Sequence, residues 1–332
     1  FIAGDGLTWN DGERVEGYTN LLFVLVTSGL GALGVDLLQA ARIVGLLSVL
    51  AMAAAILRAH PPRDVASALP GAGGLVLLAF SGPIIVRAVG GLEQPLLTAL
   101  LLWAVVYAFP LAEREAIGLR DGLPAGLLLA LVALTRADGL LFTMAACVGL
   151  ALARGLRRGS LPAMLGVAVP PVLAVAGQTL FRLAYYGDVI PNTARAKVAF
   201  TTERVLAGVH YAADAWPLAI VLGAILIGLA AMRLAGGSPP ARRLRLIAGV
   251  ALVWLAYVIV IGGDYHVAHR HLVPIYGLVC LAAAEALAAC PGGRRAVCWA
   301  ALVLVSGIYL VGQVWDLQLR RANRERWEWR AI

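Results

Sequence analysis

Apolar residues run along this chain in long, nearly uncharged blocks rather than in the short alternations of a soluble core. The blocks cover 37–57, 69–86, 95–112, 122–135, 139–153, 161–183, 216–235, 246–262, 272–289 and 296–314, with a shorter one at 20–34. A helix rises about 1.5 Å per residue, so a bilayer core about 30 Å thick requires ~20 apolar residues. The pattern predicts an all-α, polytopic transmembrane helical protein with about 10 spans and one short extra helix. Segment 20–34 reaches only about 22 Å, too short to cross untilted, and is expected to be re-entrant or interfacial. Three regions follow: an external loop with a short interfacial helix at 1–36, a transmembrane domain at 37–314, and an interfacial tail at 315–332.

Composition agrees with the pattern. Hydrophobic residues make up 61% of 332 positions and charged residues 14%, where a soluble chain carries about a quarter charged. Mean hydropathy is +0.85. In a soluble protein the net charge of +8 would point to nucleic acid. Here it is assigned to loops, and the expected partner is the bilayer, with no nucleic acid. Cys147, Cys280, Cys290 and Cys298 lie in or beside apolar blocks without metal-ligand spacing, and they are expected to be reduced, structural thiols.

Loop charge gives an orientation. Arg58 and Arg63, Arg114 and Arg120, Arg154, Arg157 and Arg158, Arg233, Arg242, Arg243 and Arg245, and Arg294 and Arg295 fall on one set of alternate loops. The opposite set, before the tail, is poorer in basic residues. The positive-inside rule makes the first set cytoplasmic. The expected location is a bacterial inner membrane, with the other loops facing the extracytoplasmic side.

Those external loops hold the unusual polar clusters, which suggests a site there, because ionisable groups at membrane depth are costly. Glu16 and Asn20 flank the start of the short helix, where Asn20 is alternatively a plain N-cap. Glu93 follows Gly90 and Gly91, and a helix-start carboxylate is the structural alternative. Arg136 and Asp138 share a turn between two short blocks. They either neutralise each other or hold an arginine ready for phosphate, which guanidinium binds bidentately. Around 185–198, Tyr185, Tyr186, Asp188 and Asn192 suit a sugar, and Arg195 and Lys197 suit a phosphate; an interfacial aromatic belt would also explain the tyrosines. Asp264, His266, His269, Arg270 and His271 form a polar rim whose spacing fits no familiar zinc pattern. No residue is assigned to a metal, and the cofactor is left unassigned, a divalent metal being compatible with the chemistry.

In this order the clusters GERVEGYTN (12–20), GLEQPLLTALLL (91–102), LTRADGLLF (134–142), YYGDVIPNTARAKV (185–198) and GGDYHVAHRHLVPIY (262–276) resemble the membrane glycosyltransferases of the GT-C superfamily. Within it they are most similar to AftB-like terminal arabinofuranosyltransferases and the related flagellar motor-control proteins. The resemblance covers essentially the whole chain. It implies a GT-C-like fold and transfer of a sugar, arabinofuranose in those relatives, from a polyprenyl-phosphate donor to a cell-envelope glycan or lipid acceptor. It also implies an acidic general base upstream of Phe1 and a soluble extracytoplasmic domain after the tail; the chain is accordingly expected to be a fragment. The supporting residues would be Arg136 and Lys197 at phosphate, Glu16, Asn20, Glu93, Asp188 and Asn192 at sugar hydroxyls, and Asp138, Asp264, His269 and Arg270 beside donor or acceptor. A transporter or lipid flippase is the alternative from another class, as is a non-catalytic envelope or motor-control protein on the same fold.

Overall fold

The computed structural model describes residues 16–155, 158–189, 201–219, 221, 238–264, 266, 268–290, 293 and 295–315. Every element among them is helical and none is a strand. The helices are α1 (Leu21–Ala32), α2 (Leu37–Ala59), α3 (Val65–Ala79), α4 (Gly82–Val89), α5 (Gln94–Glu113), α6 (Leu119–Thr135), α7 (Leu140–Arg154), α8 (Leu161–Tyr186), α9 (Thr202–Asp214), α10 (Pro239–Val260), α11 (Val273–Ala288) and α12 (Arg295–Trp315). Five stretches are long and apolar enough to cross a membrane: α2, α5, α8, α10 and residues 270–288, which contain α11. The pair α3–α4 makes a sixth if counted as one bent span. Helices α6 and α7 coincide with predicted blocks but have only 17 and 15 residues. Most of the block at 216–235 lies outside the described residues.

Local chemistry sets the helix ends. Asp36 opens α2 by accepting from the backbone N–H groups of Leu38 and Gln39, each at 3.1 Å. These groups have no partner within the helix itself. Helices α6 and α8 pack closely because small residues face each other. A methyl group added at Gly122 would sit 2.1 Å from the Ala163 carbonyl oxygen, and one at Gly166 2.1 Å from that of Leu119. Backbones that approach this closely gain van der Waals contact along their length, the usual glue of helices in lipid.

The block at 69–86 reads as one span in sequence but is broken in the fold. Helix α3 stops at Ala79, α4 starts at Gly82, and the two diverge by 61°. Pro83 stands in the first turn of α4, where its missing N–H costs nothing. A break inside an apolar span exposes backbone groups, which are expensive where water is excluded. Gln313 of α12 satisfies them, accepting from the Gly82 N–H at 2.5 Å and donating to the Phe80 carbonyl. Ser81 adds a hydrogen bond to Tyr309 of α12 at 3.2 Å. The bent helix is then held on α2, where Gly45 leaves room for the Ala88 backbone; a methyl there would lie 2.3 Å from the Ala88 oxygen.

The expectation of four reduced thiols fails, since a disulfide takes up two of them. Cys147 and Cys280 are free, but Cys290 is disulfide-bonded. It lies just past the end of α11, between that helix and α12. Spacing judged against metal patterns does not reveal the bond.

Candidate functional site

The C-terminal ends of α4, α6 and α10 and the N-terminal ends of α5, α7 and α11 meet at one end of the bundle. Loops from three separate parts of the sequence place their charged residues there. Arg136 follows α6 and turns its guanidinium edge onto Asp138, Nε to Oδ1 and Nη2 to Oδ2, both at 2.8 Å. Its Nη1 donates to Glu93 Oε1 at 3.2 Å. Glu93 also accepts from its neighbour Gln94 at 2.7 Å. Tyr257, near the end of α10, donates its hydroxyl to Asp138 Oδ2 at 3.0 Å. Both side chains of the Arg136–Asp138 pair are only 15% exposed, so the turn is buried within the protein. Burial pushes the Asp138 carboxyl up, but the Arg136 charge and its two hydrogen bonds outweigh this and hold it at about 2.

A second pair adjoins the first. Arg270 grips Asp264 by the same edge, Nε to Oδ2 at 2.5 Å and Nη2 to Oδ1 at 3.1 Å. The Asp264 side chain is 2% exposed. The chain reaches this grip through Ala268 and His269, two consecutive non-glycine residues at φ 59° and 47°. Left-handed backbone of this kind costs about 1–3 kcal/mol per residue and persists only where its surroundings fix it. Here the surroundings do so. The Tyr211 hydroxyl of α9 accepts from the His271 N–H at 3.1 Å, and the Trp254 indole donates to the His271 carbonyl at 2.6 Å. Trp254 is itself stacked on Phe142 at 4.1 Å. His271 Nε2 lies 3.8 Å from Asp264 and links the two pairs.

Arg87, in the last turn of α4, completes the cluster. It is 5% exposed and within electrostatic range of Arg270, Asp264, Tyr211 and Glu93. Its Nε and Nη2 are buried with no hydrogen-bond partner among the described residues. By sequence it is one of the few basic residues on the external set of loops. Its signal was an arginine six residues before Glu93 in the motif RAVGGLEQP, but the bend that buries it was not visible.

The other expected site residues are placed as follows. Glu93, Arg136, Asp138, Asp264 and Arg270 come together, and His269 is fully buried beside them, its ring 5.7 Å from that of Tyr211. Glu16 belongs to a separate buried pair with Arg182 of α8 at 2.8 Å. Beside it Tyr186 donates to Tyr18 at 3.3 Å, and burial raises the Tyr18 hydroxyl above its ordinary value. Asn20 takes the N-cap position of α1 without a side-chain bond to the helix. Asp188 is half-buried in the turn that follows left-handed Gly187 at the end of α8. Asn192 and Lys197, and with them Arg195, lie outside the described residues. Among the described residues no group of three or more His, Cys, Asp or Glu is arranged to hold a metal ion.

The cluster therefore offers ionised, desolvated groups of both signs within one polar network, flanked by aromatic rings. Such an arrangement can recognise an anion and orient hydroxyl groups beside it. No family model, curated protein or solved structure matches the chain.

Proposed function

We propose that the protein is an integral-membrane glycosyltransferase. It moves a sugar from a polyprenyl-phosphate donor to a cell-envelope glycan or lipid acceptor, at the extracytoplasmic face of a bacterial inner membrane. The observation that carries this reading is the convergence of Glu93, Arg136, Asp138, Asp264 and Arg270. They come from three of the five polar motifs and meet in one buried network at one end of an apolar helix bundle. The motif resemblance and the bias of loop arginines toward the other face point the same way.

The chemistry asks for two things of such a site. The departing polyprenyl phosphate needs its charge stabilised, and the acceptor hydroxyl needs a base as it attacks the anomeric carbon. Arginines supply the first. The carboxylates of this cluster are each engaged with an arginine, or with a side chain that bridges to one, and so suit the work of positioning. The base is supplied from outside the cluster. One rival reading has an observation in its favour: broken helices such as α3–α4 also line the substrate sites of transporters. In transporters, however, they converge near mid-depth rather than at one end.

The test is transfer of radiolabelled arabinose from decaprenyl-phosphate-arabinose to an arabinan oligomer by the full-length protein in detergent. Labelled oligomer is the expected product. No transfer from this donor or from other polyprenyl-phosphate sugars overturns the enzyme reading. Movement of the intact donor across liposomes without transfer supports the transporter.

A further inference from the structure

Three arginines at the site end share one geometry and differ in one respect. Arg136 and Arg270 each use the Nε–Nη2 edge of the guanidinium to grip both oxygens of a carboxylate, Asp138 and Asp264. In Arg87 the same two nitrogens are buried and unpartnered among the described residues. A guanidinium keeps its charge even when buried, so its open edge carries a desolvation cost that only an anionic ligand or water removes. Both neighbouring carboxylates are already engaged: Asp264 holds Arg270, and Glu93 accepts from Arg136 and Gln94. A ligand oxyanion would fit this edge as the carboxylates of Asp138 and Asp264 fit those of Arg136 and Arg270.

The surroundings of Arg87 indicate what carries that anion. On the other side of the same short helix, Ile85 and Val89 are exposed, at 38% and 37%, one turn apart. Helix α4 thus presents apolar side chains outward and an open cation inward, with the 61° bend against α3 placing it beside the cluster. We propose that Arg87 is the phosphate seat of the site: its Nε–Nη2 edge takes two oxygens of a lipid-linked phosphate whose chain runs along Ile85 and Val89. The identity of the lipid as a polyprenyl carrier rests on the glycosyltransferase reading; the open edge does not. Arg136, which the family resemblance offered for this role together with Lys197, is on this account a positioning residue that fixes Asp138 and Glu93.

The experiment is thermal unfolding and equilibrium binding of the full-length protein in detergent, with decaprenyl phosphate, phosphatidylglycerol and inorganic phosphate as separate probes. Wild type should be stabilised by decaprenyl phosphate well beyond either of the others. Arg87→Met should weaken decaprenyl phosphate binding roughly 10- to 100-fold, the worth of hydrogen bonds to a charged group. Arg87→Lys should recover part of the loss, as a point charge without the fork. Without ligand, Arg87→Met should unfold at the same temperature as wild type or higher, because no hydrogen bond of Nε or Nη2 is lost and relief of burial and of repulsion from Arg270 offsets the lost attraction to Asp264 and Glu93. A lower ligand-free Tm would mark Arg87 as structural and overturn the proposal. Unchanged binding in Arg87→Met would overturn it, and so would an equal response to phosphatidylglycerol or inorganic phosphate. Arg87-dependent binding without sugar transfer would leave the seat standing and remove the enzyme; transfer that ignores Arg87 would do the reverse.

Discussion

The two ends of the helix bundle both gather arginines, and they use them differently. At the end away from the site, Arg154 donates to the Leu111, Arg114 and Glu115 carbonyls, and Arg242 to that of Glu113. These are carbonyls at and just beyond the close of α5, which the helix leaves without partners. Arg243 joins Glu113 to Glu285, and His60 Nε2 lies 3.0 Å from the same Glu285 oxygen. At the site end Arg136 and Arg270 face carboxylates, as Arg243 does at the other, but Arg87 has its buried Nε and Nη2 without a hydrogen-bond partner among the described residues. Charge at the first end closes the fold. Charge at the second is balanced, three arginines against Glu93, Asp138 and Asp264, but one guanidinium edge is left unfilled, and this edge is the one we assign to a ligand.

That contrast breaks most easily at Arg136. Arg136→Met leaves Asp138 and Glu93 buried without their cation, a change that costs about 3–5 kcal/mol. The expected result is a large drop in detergent Tm, rescued in part when Asp138→Asn is added. A Tm equal to wild type would show that the pair is not holding the turn.

The pH dependence of the same pair is the next largest effect. The Asp138 carboxyl titrates at about 2 when folded, below its ordinary value of 3.8. Its contribution is therefore fully present above pH 4 and is lost as pH falls toward 2, amounting to about 2 kcal/mol. The stability difference between wild type and Asp138→Asn should shrink across that window. A difference independent of pH between 4 and 2 would contradict the assignment.

The smallest effect sharpens the division between the ends. Arg154→Gln should cost about 1–2 kcal/mol through lost bonds to the α5 carbonyls while leaving decaprenyl phosphate binding unchanged. Weakened binding in this variant would mean that the two ends are coupled and that the division is wrong.

Much of this arrangement was legible in the sequence, because helix content and short-range ion pairs are local properties. Nearly every described apolar block became a helix, and the turn at 136–138 and the loop at 264–270 each contain both members of their pair. What escaped was set by contacts between residues far apart. The break between α3 and α4 has a local turn signal in Ser81, Gly82 and Pro83 that the surrounding apolar block outweighed, and the residue that makes it tolerable, Gln313, lies more than two hundred positions away. Without the break, Arg87 looks like a charge in a loop. Likewise His60, Glu113, Arg243 and Glu285 carry no sequence signal of their common network, since each stands alone in an apolar helix end or a basic loop. The choice between a neutralised Arg136 and one kept for phosphate was open for the same reason: it depended on whether another cation stood nearby.

The claim that the site end holds one cation reserved for a lipid phosphate is tested most directly by a high-resolution structure of the full-length protein with decaprenyl phosphate bound. The account predicts phosphate oxygens within hydrogen-bond distance of Arg87 Nε and Nη2, with the Arg136–Asp138 and Arg270–Asp264 pairs intact. Phosphate seated on Arg136 or Arg270 with its carboxylate displaced, or bound away from α4 altogether, would contradict it.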